Sequence, residues 1–364
     1  MNAIIDPQAR EKRLVEIHAQ HLAEVGPEGW LKYSEAINKL LPRFFSSAEK
    51  IPKPIPRFLI NGKAVCTAGN LTTIISQAKG GKSAFTGAMI AAAICADRGA
   101  ERDTLGITAT APGGKVLLHV DTELSRHDHQ EHILRQLRRA GVDQEPIWLH
   151  APSLTDLSPT ERHRALPVLM QYAHREAGLF ATILDGGADL VNDVNDTEES
   201  NGFVAELHAL AIRYDCPIIS VVHENPGGDS GKMRGHFGSQ LERKAESNLR
   251  LRKVDEITVV FGEKNRGAPI LERDGPRFIW SDEAGMHVSV ASKGSEKDAE
   301  EIEEMRGLAR RVFSEGTLRY SDACDRIEAI RHMKDGGGGK WFTRMKKARV
   351  IQDDLLGKWR VIEP

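Results

Sequence analysis

Cysteine is scarce in this chain: 4 of 364 residues, Cys66, Cys95, Cys216 and Cys324, with no C-x-x-C pair among them. That excludes a zinc ribbon and a disulfide framework, and it suits a reducing compartment, so a cytoplasmic location is expected. Neither sign of charge dominates. Lys and Arg number 50 against 52 Asp and Glu, a formal net charge of −2. No global field therefore draws the chain to nucleic acid, and any such surface must come from local clustering. Long apolar runs are absent too. The opening MNAIIDPQAREKRL has no apolar core of a leader peptide, and no stretch reaches the roughly 18 uninterrupted apolar residues of a membrane span. The longest candidate, Ala88 to Ala96, reads as a buried helix.

Clustered metal ligands are also missing. In His127-Asp-His-Gln-Glu-His132 a helix would put 127 and 131 on one face and 129 and 132 on another, which gives no cluster of three nitrogens. A solvated helix face is expected there. The acidic run Asp193–Glu199 lacks the glycine and terminal glutamate spacing of a calcium loop.

What is present is an ordinary globular composition, 40% hydrophobic and 28% charged, long enough for two or three domains at roughly 150 residues each. Residues 1–50 show helical spacing (Ile17, Leu22, Leu31, Ile37, Leu40). Residues 51–57 contain Ile-Pro-Lys-Pro-Ile-Pro, whose three prolines block a helix and favour an extended linker. From 58 to 290, short β-rich runs at Leu71–Ser76, Val116–Asp121, Ile147–His150, Phe180–Asp185, Ile218–His223 and Ile257–Phe261 alternate with helical patterns at 83–98, 124–140, 160–177 and 199–214. Apolar strands separated by helices predict an α/β domain, a mostly parallel sheet covered on both faces. Residues 291–302 read as a charged linker. Residues 303–364 hold three helical patterns and a hairpin within Leu355–Ile362, the element order of a winged-helix domain.

The strongest motif is Ser76-Gln77-Ala78-Lys79-Gly80-Gly81-Lys82-Ser83, with Ala84 following. It leaves a strand and enters a helix, the context of a phosphate loop. Gly80 and Gly81 would let successive backbone N–H groups turn inward, with positive φ at no steric cost, and the helix N-terminus adds its partial positive charge. Lys82 would neutralise the β and γ phosphates of ATP, and Ser83 would offer its hydroxyl to Mg²⁺. Ser76 stands where the usual pattern has its first glycine. Phe180-Ala-Thr-Ile-Leu-Asp185 would place the Asp185 carboxylate beside the same Mg²⁺. Glu123, just past a strand expected to neighbour the phosphate-loop strand, either orients and deprotonates the attacking water or caps the next helix.

These residues resemble the RecA-like ATPases over roughly 58–275, and within them the hexameric plasmid replication helicases of the RepA type, with DnaB more distant. The resemblance implies a catalytic glutamate in Asp121-Thr-Glu123 and a γ-phosphate sensor at His223. It also implies that Lys264 and Arg266 of Glu263-Lys-Asn-Arg-Gly-Ala-Pro269 reach the γ-phosphate of a neighbouring subunit. A charged β-turn is the alternative for that segment, since Gly267 and Pro269 suit turns. Asp185 is followed by two glycines rather than by the acidic partner that AAA+ proteins place there.

In RecA-like rings the loops after these strands face a central channel. The second such loop, 225–238, is glycine-rich and carries Lys232, Arg234 and His236, which suits sequence-neutral contact with single-stranded DNA; Arg234 could instead serve nucleotide. Near the C-terminus Lys340, Arg344 and Lys347 crowd one helical segment, with Lys358 and Arg360 on the hairpin. That arrangement fits duplex DNA, although winged helices also dock proteins. The expectation is an ATP-driven, homo-oligomeric (hexameric) DNA motor or loader of a plasmid or other mobile element, with no membrane partner. The alternative is a DNA-binding regulatory ATPase that assembles without translocating.

Overall fold

The computed structural model describes residues 7–44, 47, 49–224, 233, 235–291, 293–333, 337–348, 350–354 and 357–362. They divide into two compact units, Met1–Lys53 and Pro54–Pro364. The first is dominated by α1 (Pro7–Leu40), two helices joined at Gly26, whose φ of 71° and ψ of 177° are not helical and which precedes Pro27. Within it Tyr33 packs on His21, ring centroids 4.1 Å apart. None of its described side chains is buried.

The second unit opens with β1 (Pro56–Ile60), β2 (Lys63–Thr67) and β3 (Leu71–Ser76), then α2 (Lys82–Arg98), β4 (Ile107–Ala109), β5 (Val116–Asp121) and α3 (Arg126–Ala140). It continues through β6 (Leu149–His150), α4 (Pro159–Ala177), β7 (Leu179–Asp185), α5 (Thr197–Arg213), β8 (Ile218–His223) and α6 (Gly235–Lys244). Four antiparallel strands follow: β9 (Ser247–Val254), β10 (Ile257–Asn265), β11 (Arg277–Ser281) and β12 (Met286–Val290). The main sheet has nine strands in the order β12-β11-β10-β9-β3-β8-β7-β5-β6, parallel from β9 through β6. A separate antiparallel sheet, β2-β1-β4, packs Phe58 and Ile60 into the core.

The period-2 alternation of a strand sends neighbouring residues to opposite faces, and both faces are buried here. Ile74, Leu117, Ile183 and Ile219 enter one cluster with α2 and α3. Their chain neighbours Ile75, Leu118, Leu184 and Ile218 enter the other, with α4, α5 and α6. Each such side chain removed from water contributes about 1.5–3 kcal/mol, so the sheet cannot slip by one residue without trading one core for the other.

The expected α/β sheet is therefore present, and β3, β5 and β8 keep the predicted bounds. One expected adjacency is wrong: β5 does not neighbour β3, because β8 and β7 lie between them. Strand β6 is shorter than expected, β10 runs on through Lys264, and β1, β2, β4, β9, β11, β12 and α6 were not foreseen. Strand β9 reads SNLRLRKV, and its three cations hide a strand whose Arg250 is 7% exposed among carboxylates.

Last come α7 (Lys293–Val312), α8 (Tyr320–Arg331), α9 (Gly337–Lys347), β13 (Ile351–Asp353) and β14 (Trp359–Val361) around their own cluster of Leu308, Ile327, Phe342 and Met345. Strands β13 and β14 form a hairpin, and a bridge from Leu318 to Trp359 adds a third short segment. The hairpin begins at Ile351 rather than within 355–362, and α7 begins inside the stretch read as linker.

Candidate functional site

At the end of β3 the chain turns through Ser76–Gly81 into α2. Gly81 is the helix N-cap with φ 88°, and Lys79 takes the other left-handed position at φ 60°. Gly80 has no positive φ. A Cβ on Gly80 would lie 1.8 Å from Ser76 Oγ, so glycine there is a matter of space rather than of backbone angle. A Cβ on Gly81 would lie 2.8 Å from the Phe278 ring of β11, so the unforeseen strand at the sheet edge presses the loop from behind. Ser76 is fully buried and its hydroxyl donates to Gln77 O at 2.7 Å.

Three predicted residues meet at the loop mouth. Lys82 Nζ lies 3.1 Å from His223 Nδ1, and His223 Nε2 lies 3.2 Å from Glu123 Oε1. An ammonium can only donate, so His223 accepts at Nδ1 and donates at Nε2, which fixes a neutral tautomer. Burial pushes the Lys82 pKa down, opposed by the nearby Glu123 and Asp185 carboxylates. Glu123 is not a helix cap: Ser125 caps α3, its Oγ accepting from Asp128 N at 3.1 Å.

Asp185 ends β7, 4% exposed, and accepts from Thr86 Oγ1 at 3.2 Å. Burial raises its pKa, but His119, His132 and Thr86 outweigh that and hold it below the usual carboxylate value. Thr86 also donates to Ser83 O at 3.3 Å, so one hydroxyl touches both residues expected to hold Mg²⁺. Beside them Asp121 Oδ1 is buried without a hydrogen-bond partner among the described residues, and burial raises the Asp121 carboxyl to about 6. Ser83, Asp185 and Asp121 offer hard oxygen donors of the kind Mg²⁺ takes. Among the described residues no group of three or more His, Cys, Asp or Glu could hold a metal alone, so phosphate and water would have to complete the shell. The residues fit such an ion.

The histidines of α3 do not form a solvated face. His127 is exposed, but His132 is 4% exposed and stacks on His119 of β5 at 5.5 Å, with His129 at 6.1 Å from the same ring. Burial drives the His132 pKa down to about 3, so it sits there neutral. The sequence reading missed this because His119 arrives from a strand, outside the motif. A cavity of about 370 Å³ runs from Ala78–Ala84 past Glu123 and His223 to Arg135, Gln136, Arg139 and His287. These last four lie on α3 and β12 and follow no motif.

Lys264 and Arg266 lie elsewhere. Lys264 Nζ donates to Glu242 O at 3.1 Å and Arg243 O at 2.9 Å, and Arg266 donates to Lys244 O at 3.4 Å. Both cations sit at the C-terminal end of α6, where a helix leaves carbonyls unpaired. His236 is exposed in the first turn of α6, whereas Lys232 and Arg234 lie outside the described residues. On α9, Lys340 and Lys347 are not buried, and Arg344 pairs with Glu301 and covers the Trp341 ring. No helix among the described residues is long and apolar enough to cross a membrane.

The order β9-β3-β8-β7-β5, with the loop after β3 and Asp185 two strands away, makes this a RecA-like P-loop α/β fold. No protein-family model and no curated protein matches the chain. Among solved structures, the RadB recombinase is similar over 63% of this chain and 93% of that one, at 16% identity and a TM-score of 0.44. A second solved structure, itself an isolated ATPase domain, is similar over 61% of this chain and 85% of that one, at 15% identity and a TM-score of 0.42. With scores below 0.5, the fold rests on the strand order and loop geometry of this chain.

Proposed function

We propose that the chain is an ATP-hydrolysing, oligomeric DNA-associated motor, a replicative helicase or loader of a plasmid or other mobile element. The observation that supports it best is the Lys82–His223–Glu123 chain at the mouth of the loop. Residues 76–84 would cradle the triphosphate in backbone N–H groups and the field of α2, with Lys82 between the β and γ phosphates. Mg²⁺, held by Ser83 and through water by Asp185, would supply charge neutralisation. Glu123 would accept the proton of the attacking water, and His223, already bonded to both Lys82 and Glu123, would register the γ-phosphate between them.

Oligomerisation into a ring, hexameric by the resemblance, would bring Lys264 and Arg266 to a neighbour's γ-phosphate. Single-stranded DNA would meet Lys232, Arg234 and His236. The three helices and hairpin of 303–364, read as a winged helix, would meet duplex DNA through Lys340, Arg344 and Lys347. The lysines of α9 also support a second reading, a DNA-binding regulatory ATPase that assembles without translocating. ATPase stimulation separates the two: a motor responds to single strands, a switch to a duplex site.

The assignment is tested by Lys82→Ala, measured as phosphate release at saturating ATP and Mg²⁺. Hydrolysis should fall by at least about 1000-fold. Retained turnover would refute the phosphate loop.

A further inference from the structure

Thr122, between Asp121 and Glu123, is 4% exposed and has no role in the reading above. Its backbone N–H donates to Asp185 O at 3.2 Å, stitching the end of β5 to the end of β7. Its hydroxyl faces three acceptors: Asp189 Oδ2 at 2.9 Å, Asp185 O at 3.1 Å and Gly186 O at 3.2 Å. A hydroxyl has one proton, and Asp189, the nearest of the three and the charged one, takes it best.

Asp189 is held in turn. Arg162 of α4 stands 3.8 Å from Asp189 Oδ2 while donating to Leu154 O at 3.0 Å and Thr155 O at 2.8 Å. Thr155 then donates to Leu124 O at 2.9 Å, so the residue after Glu123 is tied to the same assembly. The turn is shaped around this pair. Gly186 has φ 97°, and a Cβ on it would lie 2.0 Å from Thr122 Oγ1 and 3.3 Å from Glu123 Cγ.

We propose that Thr122 is a positioning residue for Glu123, holding it through Asp189 to the turn that follows the Asp185 strand. The inference rests on Glu123 being the base of the proposed reaction and names what keeps that base in place. Glu123 is itself half-exposed, and its carboxylate pairs with the ring of His223, a contact that leaves its backbone free to shift. The Thr122 hydroxyl removes that freedom. It also makes Glu123 and the segment Gly187–Leu190 move as one, so a pull on the loop that begins there alters the base. A displacement of about 1 Å costs a catalytic group about 100-fold.

The test uses the full chain with ATP and Mg²⁺, measuring kcat, KM and nucleotide affinity for Thr122→Val, Thr122→Ser, Asp189→Ala and Glu123→Gln. Valine keeps the shape and removes the proton, so kcat should fall about 10- to 100-fold with KM within about 2-fold. Serine keeps the hydroxyl and should restore most of kcat, as a space-filling role alone would not. Asp189→Ala, at a half-exposed carboxylate that can be removed without disturbing the core, should repeat the kcat loss if the valine chain does not fold. Full kcat in Thr122→Val or Asp189→Ala, equal loss in the serine and valine chains, or a parallel rise in KM overturns the inference. Glu123→Gln separates the two levels. If it hydrolyses ATP like the unaltered chain, the reading of Glu123 fails; if it is inactive while Thr122→Val is not, only the positioning role fails.

Discussion

Two sets of cations were expected to serve the same γ-phosphate, and the structure treats them differently. Lys82 stands in place, 3.1 Å from His223 and within the field of Glu123 and Asp185. Lys264 and Arg266 instead bond the last carbonyls of α6, the helix that follows the loop expected to meet DNA. Lys82 depends on a strand, a loop and a helix contiguous in sequence. The other pair depends on a second subunit, and within one chain the nearest negative potential is a helix C-terminus.

The widest break in that comparison would come from Arg266→Ala, measured as hydrolysis at a protein concentration where the chain assembles. A loss of about 1000-fold in kcat with nucleotide affinity unchanged would place Arg266 at a neighbour's site. Unchanged hydrolysis would leave it a structural cap. Gly81→Ala probes the Lys82 side. An alanine at φ 88° with Cβ 2.8 Å from Phe278 combines left-handed strain of about 1–2 kcal/mol with overpacking of about 1–3 kcal/mol. Chemical denaturation should therefore show about 2–4 kcal/mol less stability, and a neutral result would mean β11 does not press on the loop. Lys264→Met should cost only about 1 kcal/mol, since it removes a cation from a helix end but keeps the stem. A larger loss in melting experiments would show that α6 leans on this residue.

The legible part of the molecule was the part built from local rules. Strands β3, β5 and β8 announce themselves as apolar β-rich runs, and glycines before a lysine and a helix announce the loop. Residues Lys82, Glu123, His223 and Asp185 gather at one end of the sheet as the motifs implied, although Glu123 arrives from a strand three places away rather than next door. Illegible was whatever required two distant segments to meet. His132 looked solvated until His119 came up beneath it from β5. Strand β9 was masked by Arg250, whose charge is matched by Glu224 and Glu263 from two other strand ends. The second glycine of the loop looked like a backbone requirement alone, and the ring that crowds it, Phe278, comes from a strand far along the chain.

By itself, then, the sequence determined the alternation of strands and helices and the identity of the phosphate loop, because period, propensity and turn chemistry act over a few residues. Tertiary structure alone decided the order of strands, the burial of the α3 histidines and the contacts that tie Thr122 to Asp189. Those depend on which segments lie side by side, and side-by-side placement follows from sharing two buried faces among strands that no local pattern can rank.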